Sequence, residues 1–291
     1  MYKILVPISL LTLILDAWHV MDRLDGFLGP VMGAVHLPAK AALPVLTGLL
    51  TGIYGGIASM AVLDFSLREA TLIAIFLLIS HALPQESAIQ GQSGMHPLKA
   101  ASYRLAASVA TVWLIGSFWD GSPDETVTAV AAAATPVAAG ELFVGWLVQT
   151  FWLCAQILCI LVCIMILMEW LKACRLSERI ADLLTPLFNL LGLDRQVGLQ
   201  WMTAAIFGIS YGGAVIVEET RNHPPSPESL ERLHLSMGIN HAMIEDPVLF
   251  LPLGIHPIWL WLPRLAAAVV AVRLLAVVQG LFASSRRRAS G

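Results

Sequence analysis

Residues 80–109 read SHALPQESAIQGQSGMHPLKAASYRLAASV, and residues 240–269 read NHAMIEDPVLFLPLGIHPIWLWLPRLAAAV. Laid over one another without a gap, the two stretches share ten of thirty positions, among them His81 with His241, Gly94 with Gly254, His96 with His256, Pro97 with Pro257 and Arg104 with Arg264. Glu86 falls opposite Asp246. A bias towards leucine and alanine produces chance matches of apolar residues, not matched histidines, arginines, Gly-x-His-Pro strings and acids. The chain is therefore read as an internal duplication, and self-similarity of this kind sets the architecture before any local assignment.

The copies extend outward from that stretch. Pro30 aligns with Pro186 and Leu37 with Leu193, while Tyr54-Gly55-Gly56 meets Tyr211-Gly212-Gly213. The expected division is repeat one over 1–117, an external linker over 118–141, repeat two over 142–282 and a basic cytoplasmic tail over 283–291. The linker is rich in Ala, Thr, Pro and Gly and holds no Lys or Arg.

With 57% hydrophobic and 13% charged residues and a mean hydropathy of +0.77, the chain lacks the polar side chains to cover a water-facing surface, so its solvent is a bilayer. Apolar windows near the length of a membrane span run over 4–15, 70–83, 97–118, 142–168, 233–243 and 257–282, a spanning helix needing about 20 such residues. Two more, 41–63 and 197–217, are broken by glycines. The first window follows Lys3 without a small-x-small cleavage site and is interrupted by Asp16, so it reads as an uncleaved first span. A net charge of −3 implies no nucleic-acid partner.

Basic residues favour the cytoplasmic side. Arg286-Arg287-Arg288 places the C-terminus inside, Lys3 does the same for the N-terminus, and the linker falls outside. Repeat one then begins inside and ends outside, and repeat two does the reverse. Inversion requires an odd number of crossings per copy, yet each shows four apolar segments. One segment per copy must enter and leave on the same side, and the glycine-broken ones are expected to be re-entrant hairpins with tips at the two Tyr-Gly-Gly strings. The expected fold is an all-α integral membrane protein of two inverted repeats. Each repeat has three spanning helices, an amphipathic helix and a re-entrant helical hairpin, and the site lies near the midplane between the repeats, as in transporters with discontinuous helices.

Three polar clusters per copy carry candidate chemistry. The glycines of Tyr54-Gly55-Gly56 and Tyr211-Gly212-Gly213 allow close backbone approach to a solute or, alternatively, close helix packing. The second cluster is Ser80-His81 with Gln85-Glu86, repeated as Asn240-His241 with Glu245-Asp246. Charges cost at least about 2.5 kcal/mol at the centre of a spanning helix, so they face a cavity or a partner. The spacing of four predicts His81 and Gln85, and likewise His241 and Glu245, on one helical face. Gln85, Glu86, Asn240, Glu245 and Asp246 are the candidate solute contacts, and His81, Glu86, His241 and Asp246 the candidate proton- or ion-coupling groups. The third cluster, Gly-x-His-Pro before each last span, reads as hinge or interface, and Arg104 and Arg264 as partners of the carboxylates. His81, Glu86, His241 and Asp246 also form an N/O set suited to a divalent metal, which is the alternative reading. Cys159 and Cys163 share a helix face but read as small hydrophobes. No nucleophile elbow or phosphate loop occurs, so no enzymatic activity and no cofactor is expected beyond a coupling proton or sodium ion.

The strings Met21-Asp22-Arg23-Leu24, Leu37-Pro38-Ala39-Lys40 and Thr51-Gly52-Ile53-Tyr54-Gly55-Gly56, with Glu178-Arg179-Ile180, Gly192-Leu193-Asp194 and Tyr211-Gly212-Gly213, resemble the Gate or nucleoside recognition domain. That domain is shared by concentrative nucleoside transporters, the membrane part of the bacterial ferrous-iron transporter and spore maturation proteins A and B. The resemblance covers nearly the whole chain except the linker. It implies a bacterial inner-membrane permease, multi-pass and capable of forming homo-oligomers. Hairpin tips and broken helices would hold a nucleoside-like or other small polar solute; a metal permease and a non-transporting scaffold are the alternatives. Where the iron transporter has cysteines, this chain has Tyr-Gly-Gly and Ser80-His81 or Asn240-His241, so thiolate handling of iron does not carry over.

Overall fold

The computed structural model describes residues 1–119, 126–127, 139–174, 176–193, 195–222 and 225–289. Thirteen α-helices account for most of them: α1 (Tyr2–Ala17), α2 (Val20–Gly33), α3 (Ala42–Thr51), α4 (Ile53–Met60), α5 (Leu67–Ser80), α6 (Leu83–Gln92), α7 (Pro97–Phe118), α8 (Ala139–Ala173), α9 (Leu176–Leu190), α10 (Arg195–Asn222), α11 (Pro227–Asn240), α12 (Glu245–Val248) and α13 (Pro257–Ala289). Among the described residues the extended structure is two short strands, Phe65–Ser66 and Thr126–Val127, paired antiparallel. Most of the expected linker and the end of the basic tail lie outside the described residues.

Three helical stretches among the described residues are long and apolar enough to cross a membrane: Leu67–Gln92, Gly140–Leu171 and Pro257–Leu281. They differ in surroundings. The first is mostly buried in protein, whereas Phe151, Trp152, Met165 and Ile166 on α8 and Leu274, Val277 and Leu281 on α13 are exposed. An exposed apolar surface of this extent is covered by lipid in a membrane protein. The other windows expected to span form α1, α7 and α11, of 16, 22 and 14 residues.

The duplication recurs in backbone geometry. α5 and α11 each have 14 residues and start behind a serine N-cap, Ser66 accepting from the Glu69 N–H and Ser226 from the Ser229 N–H. In repeat one the Glu69 carboxylate also accepts from the Ser66 N–H, completing a capping box. α2 ends with Leu37 N–H donating to Met32 O at 3.0 Å and His36 N–H to Gly33 O; α9 ends with Leu193 N–H donating to Phe188 O at 2.9 Å and Gly192 N–H to Asn189 O. Both are Schellman closures, and Leu37 and Leu193 are buried alike.

In repeat one the expected hairpin is present as α3 and α4, but its tip is displaced. The chain turns at Gly52, at φ 95° and ψ −177°, a conformation essentially confined to glycine, and Tyr54-Gly55-Gly56 lie within α4. Thr47 Oγ1 meets Gly55 O at 3.2 Å and Ser59 Oγ at 3.1 Å. A continuous helix would hold Thr47 and Ser59 about 18 Å apart, so α4 folds back along α3. Gly55 and Gly56 serve packing, since a Cβ on Gly56 would overlap Leu77 of α5. In repeat two the corresponding break is Gly208 inside α10, at φ 81° and ψ 167°. Tyr211, Gly212 and Gly213 follow it in the helix, and their side chains lie outside the described residues.

The expected sharing of a helical face by His81 and Gln85, and by His241 and Glu245, does not occur. His81 ends α5 in an extended conformation (φ −68°, ψ 163°) and His241 ends α11 likewise (φ −77°, ψ 162°). Ala82 and Ala242 then turn left-handed at φ 47° and 44°, so helical periodicity stops before the acids are reached.

The chain falls into two compact units. The first comprises Met1–Pro84, Ser108–Ile164 and Asp246–Trp261, the second Gln85–Ala107, Met165–Glu245 and Leu262–Gly291. Each unit takes its glycine-broken segment from one repeat and the segment bearing Glu86 or Asp246 from the other.

Candidate functional site

In the first unit α5 delivers His81 to the end of a buried helix. The left-handed turn at Ala82 is fixed by its N–H donating to Gly48 O of the hairpin at 3.0 Å. His81 Nδ1 lies 2.9 Å from Leu77 O, and Nε2 lies 3.5 Å from Asp246 Oδ2. Both side chains are almost completely buried. Ser80 beside it donates to Phe76 O and to Ser108 Oγ, each at 3.1 Å.

In the second unit the same construction carries the other histidine. Ala242 N–H donates to Ala204 O at 3.1 Å, four residues before the Gly208 break, as Gly48 stands four before Gly52. His241 Nδ1 lies 3.1 Å from Gly238 O, and Nε2 lies 3.1 Å from Glu86 Oε2. Arg104 Nη1 lies 2.5 Å from the same carboxylate oxygen, with its side chain 1% exposed. The expected pairing of Arg104 with a carboxylate is therefore present. Arg264 Nε donates to Ile239 O at 3.1 Å and its Nη2 to His241 O at 2.7 Å.

Each histidine thus faces the acid of the other repeat, which spacing within either copy does not reveal. A carbonyl oxygen only accepts, so Nδ1 of each histidine carries a proton towards Leu77 O or Gly238 O. For His241 and Glu86 at 3.1 Å a second proton then lies between Nε2 and the carboxyl group, on one or the other. Both forms are accessible to an imidazole and an acid in contact, so such a pair can take up, hold and release a proton or exchange it for a hydrogen bond to a solute.

The remaining candidates divide. Gln85 is exposed and Glu245 half-buried, whereas Glu86 and Asp246 are buried. Asn240 is 0% exposed and neither atom of its amide has a partner. His96 and His256 are exposed beside left-handed Gly94 and Gly254, consistent with an interface or hinge position. Sequence reasoning missed Gln90 and Ser93 as members of a buried polar group with His234. Gln90 Nε2 donates to His234 O at 2.9 Å, and His234 Nε2 lies 3.2 Å from Ser93 O and 3.3 Å from Ser93 Oγ. The available signal was a spacing of four and then three from Glu86. One turn before His234, Glu231 accepts from Tyr103 Oη at 2.8 Å and Gln279 Nε2 at 3.1 Å and pairs with Lys99.

The fold and the buried charges define an all-helical membrane protein with a duplicated polar site. Its residues 1–91 match the family model described as Gate: Nucleoside recognition. The chain is also 28% identical over 279 residues, covering 94% of it and 88% of the relative, to the uncharacterized membrane protein YvoD of Bacillus subtilis (strain 168). No solved structure matches.

Proposed function

We propose that the protein is a secondary permease of a bacterial inner membrane, moving a small polar solute of nucleoside-like or similar size by alternating access. The observation that carries this reading is the buried histidine–carboxylate pair at the broken end of a helix in each unit. Ionisable groups in such a setting default to solute or proton handling, because a purely structural role does not offset their insertion cost. The match of residues 1–91 to the nucleoside recognition family supports the same class. In this reading Glu86 and Asp246 bind the solute or a coupling ion, His81 and His241 relay a proton, and the α3–α4 and α10 breaks are re-entrant. The repeats run in opposite directions through the bilayer, with both termini cytoplasmic.

The test is a thermal-shift screen of purified protein against nucleosides, carboxylates, amino acids and divalent metals, followed by uptake of the hit into proteoliposomes. Glu86→Gln and Asp246→Asn are expected to abolish uptake with membrane insertion intact. Asp246→Asn is the cleaner variant, since His81 can shed its proton when the acid is neutralised whereas Arg104 beside Glu86 cannot. Uptake retained in both variants removes the site assignment, and a shift with divalent metals alone replaces the organic solute with a metal ion.

A further inference from the structure

The two units are built on one plan but differ in the seam leading to the histidine–acid pair. In the second unit α6 and α11 meet along residues three and four apart in sequence: Glu86 and Gln90 on α6 with Ser93 just past its end, and His234 and Gly238 on α11 with His241 just past its end. The contacts run Ser93 to His234, Gln90 to His234 and Glu86 to His241, and a Cβ on Gly238 would come within 3.2 Å of Gln90 Nε2. Subtracting or adding 160 gives the equivalents in the first unit. The ends are kept as His81 and Asp246, but between them His234 becomes Ala74, Gly238 becomes Leu78, Gln90 becomes Phe250 and Ser93 becomes Leu253. All four replacements are apolar and buried. Every intermediate position that is polar or open in one unit is hydrocarbon in the other.

The polar seam is not closed on itself. Among the described residues Gln90 Oε1, His234 Nδ1 and the hydroxyl of neighbouring Ser87 are buried without a partner, and each of the three residues is at most 3% exposed. A buried polar atom left unsatisfied costs about 1–3 kcal/mol, so three along one seam mark a place where a hydrogen-bonding molecule belongs. His234 Nε2 faces Ser93 O and so carries its ring proton there, leaving Nδ1 as an acceptor. The open positions are thus a neutral amide oxygen, a neutral imidazole nitrogen and a hydroxyl. At the outer end stands the half-buried Glu231 cluster, one turn before His234, and at the inner end the Glu86–Arg104–His241 group.

We propose that the α6–α11 seam is a one-sided polar passage, taking water and small neutral hydrogen-bonding solutes from the Glu231 end to Glu86, and that the equivalent seam of the first unit is sealed. This deepens the permease reading by naming which pair is reached first and by what class of molecule. Replacing the four native cysteines by alanine and introducing Ser87→Cys or Ser93→Cys in the seam, with Ala74→Cys and Leu253→Cys as first-unit controls, makes it measurable. Membranes are treated with neutral, hydrophilic hydroxyethyl methanethiosulfonate, and modification is followed by mass. The seam positions are expected to react about tenfold or more faster than the controls, since thiol reactivity follows access. Adding Gln90→Phe, the residue of the sealed unit, is expected to bring Ser87→Cys down to the control rate. Equal rates at Ser87→Cys and Ala74→Cys, with both reacting fully after denaturation, overturn the passage, as does a Ser87→Cys rate unmoved by Gln90→Phe. A reactive seam in a protein that takes up no solute leaves the passage standing and removes the permease reading; uptake through a protein whose seam is unreactive does the opposite.

Discussion

Arg104 is 1% exposed and bears a charge that no physiological pH removes, so its position depends on the Glu86 carboxylate at 2.5 Å. Breaking a buried pair by taking one partner costs about 3–5 kcal/mol, whereas removing both charges together is far milder. Arg104→Met is therefore expected to lower the unfolding temperature in detergent much more than the double variant Arg104→Met/Glu86→Gln, in which the Gln amide can donate to Nε2 of neutral His241. A double variant as unstable as the sum of its parts would show that the two charges do not depend on each other. The charged residues of this site were legible as types: the offset of 160 matched the histidines, acids and arginines, though not Gln90, Ser93 and His234. Their partners were not legible. A spacing of four implies a shared face only while the helix continues, and the left-handed turns at Ala82 and Ala242 end it just after each histidine. Nothing in Ser-His-Ala-Leu announces that turn. It is held by a hydrogen bond to the residue four before the glycine break, from Ala82 to Gly48 and from Ala242 to Ala204.

The hairpin of α3 and α4 shows how an element can be expected correctly and its corner misplaced. Four glycines fall between Gly48 and Gly56, and composition alone does not say which one turns the chain and which ones let helices touch. Gly52 turns it, because only there is φ positive among them; Gly48 and Gly56 instead receive Leu77, whose methyl groups occupy the space where a Cβ on either would sit. Leu77 is itself fully buried, so the contact has no room to relax outward. Gly56→Ala is expected to cost about 1–3 kcal/mol by overpacking, and Leu77→Ala about 2–5 kcal/mol through the cavity it leaves. In the double variant the added methyl fills part of the space the leucine vacates, so its loss of stability should be smaller than the sum of the two. Strict additivity in thermal or denaturant unfolding would mean that α4 does not rest on α5 through this leucine.

Across the whole chain, the polar breaks are locally superimposable. His81 and His241, Ala82 and Ala242, and Gly52 and Gly208 have matching dihedral angles, and each alanine is tied by the same bond to the helix before the glycine break. Equal local geometry is compatible with either parallel or inverted copies, since a rotation carries one into the other in both cases. What separates them is the number of bilayer crossings between equivalent points. A hairpin that turns back at Gly52 contributes two passes or none. In the proposed topology α1, α5–α6 and α7 each cross once, which gives repeat one three crossings and an end opposite to its start. In the same proposed topology the Lys and Arg distribution is expected to place the linker outside and the Arg286-Arg287-Arg288 tail inside. Alkaline phosphatase fused after Ser122 is expected to be active and a green fluorescent reporter at the C-terminus to be bright, the first requiring export and the second retention. If instead both reporters mark the same side of the membrane, the crossings between linker and tail are even, the copies are parallel, and the hairpins cannot both be re-entrant.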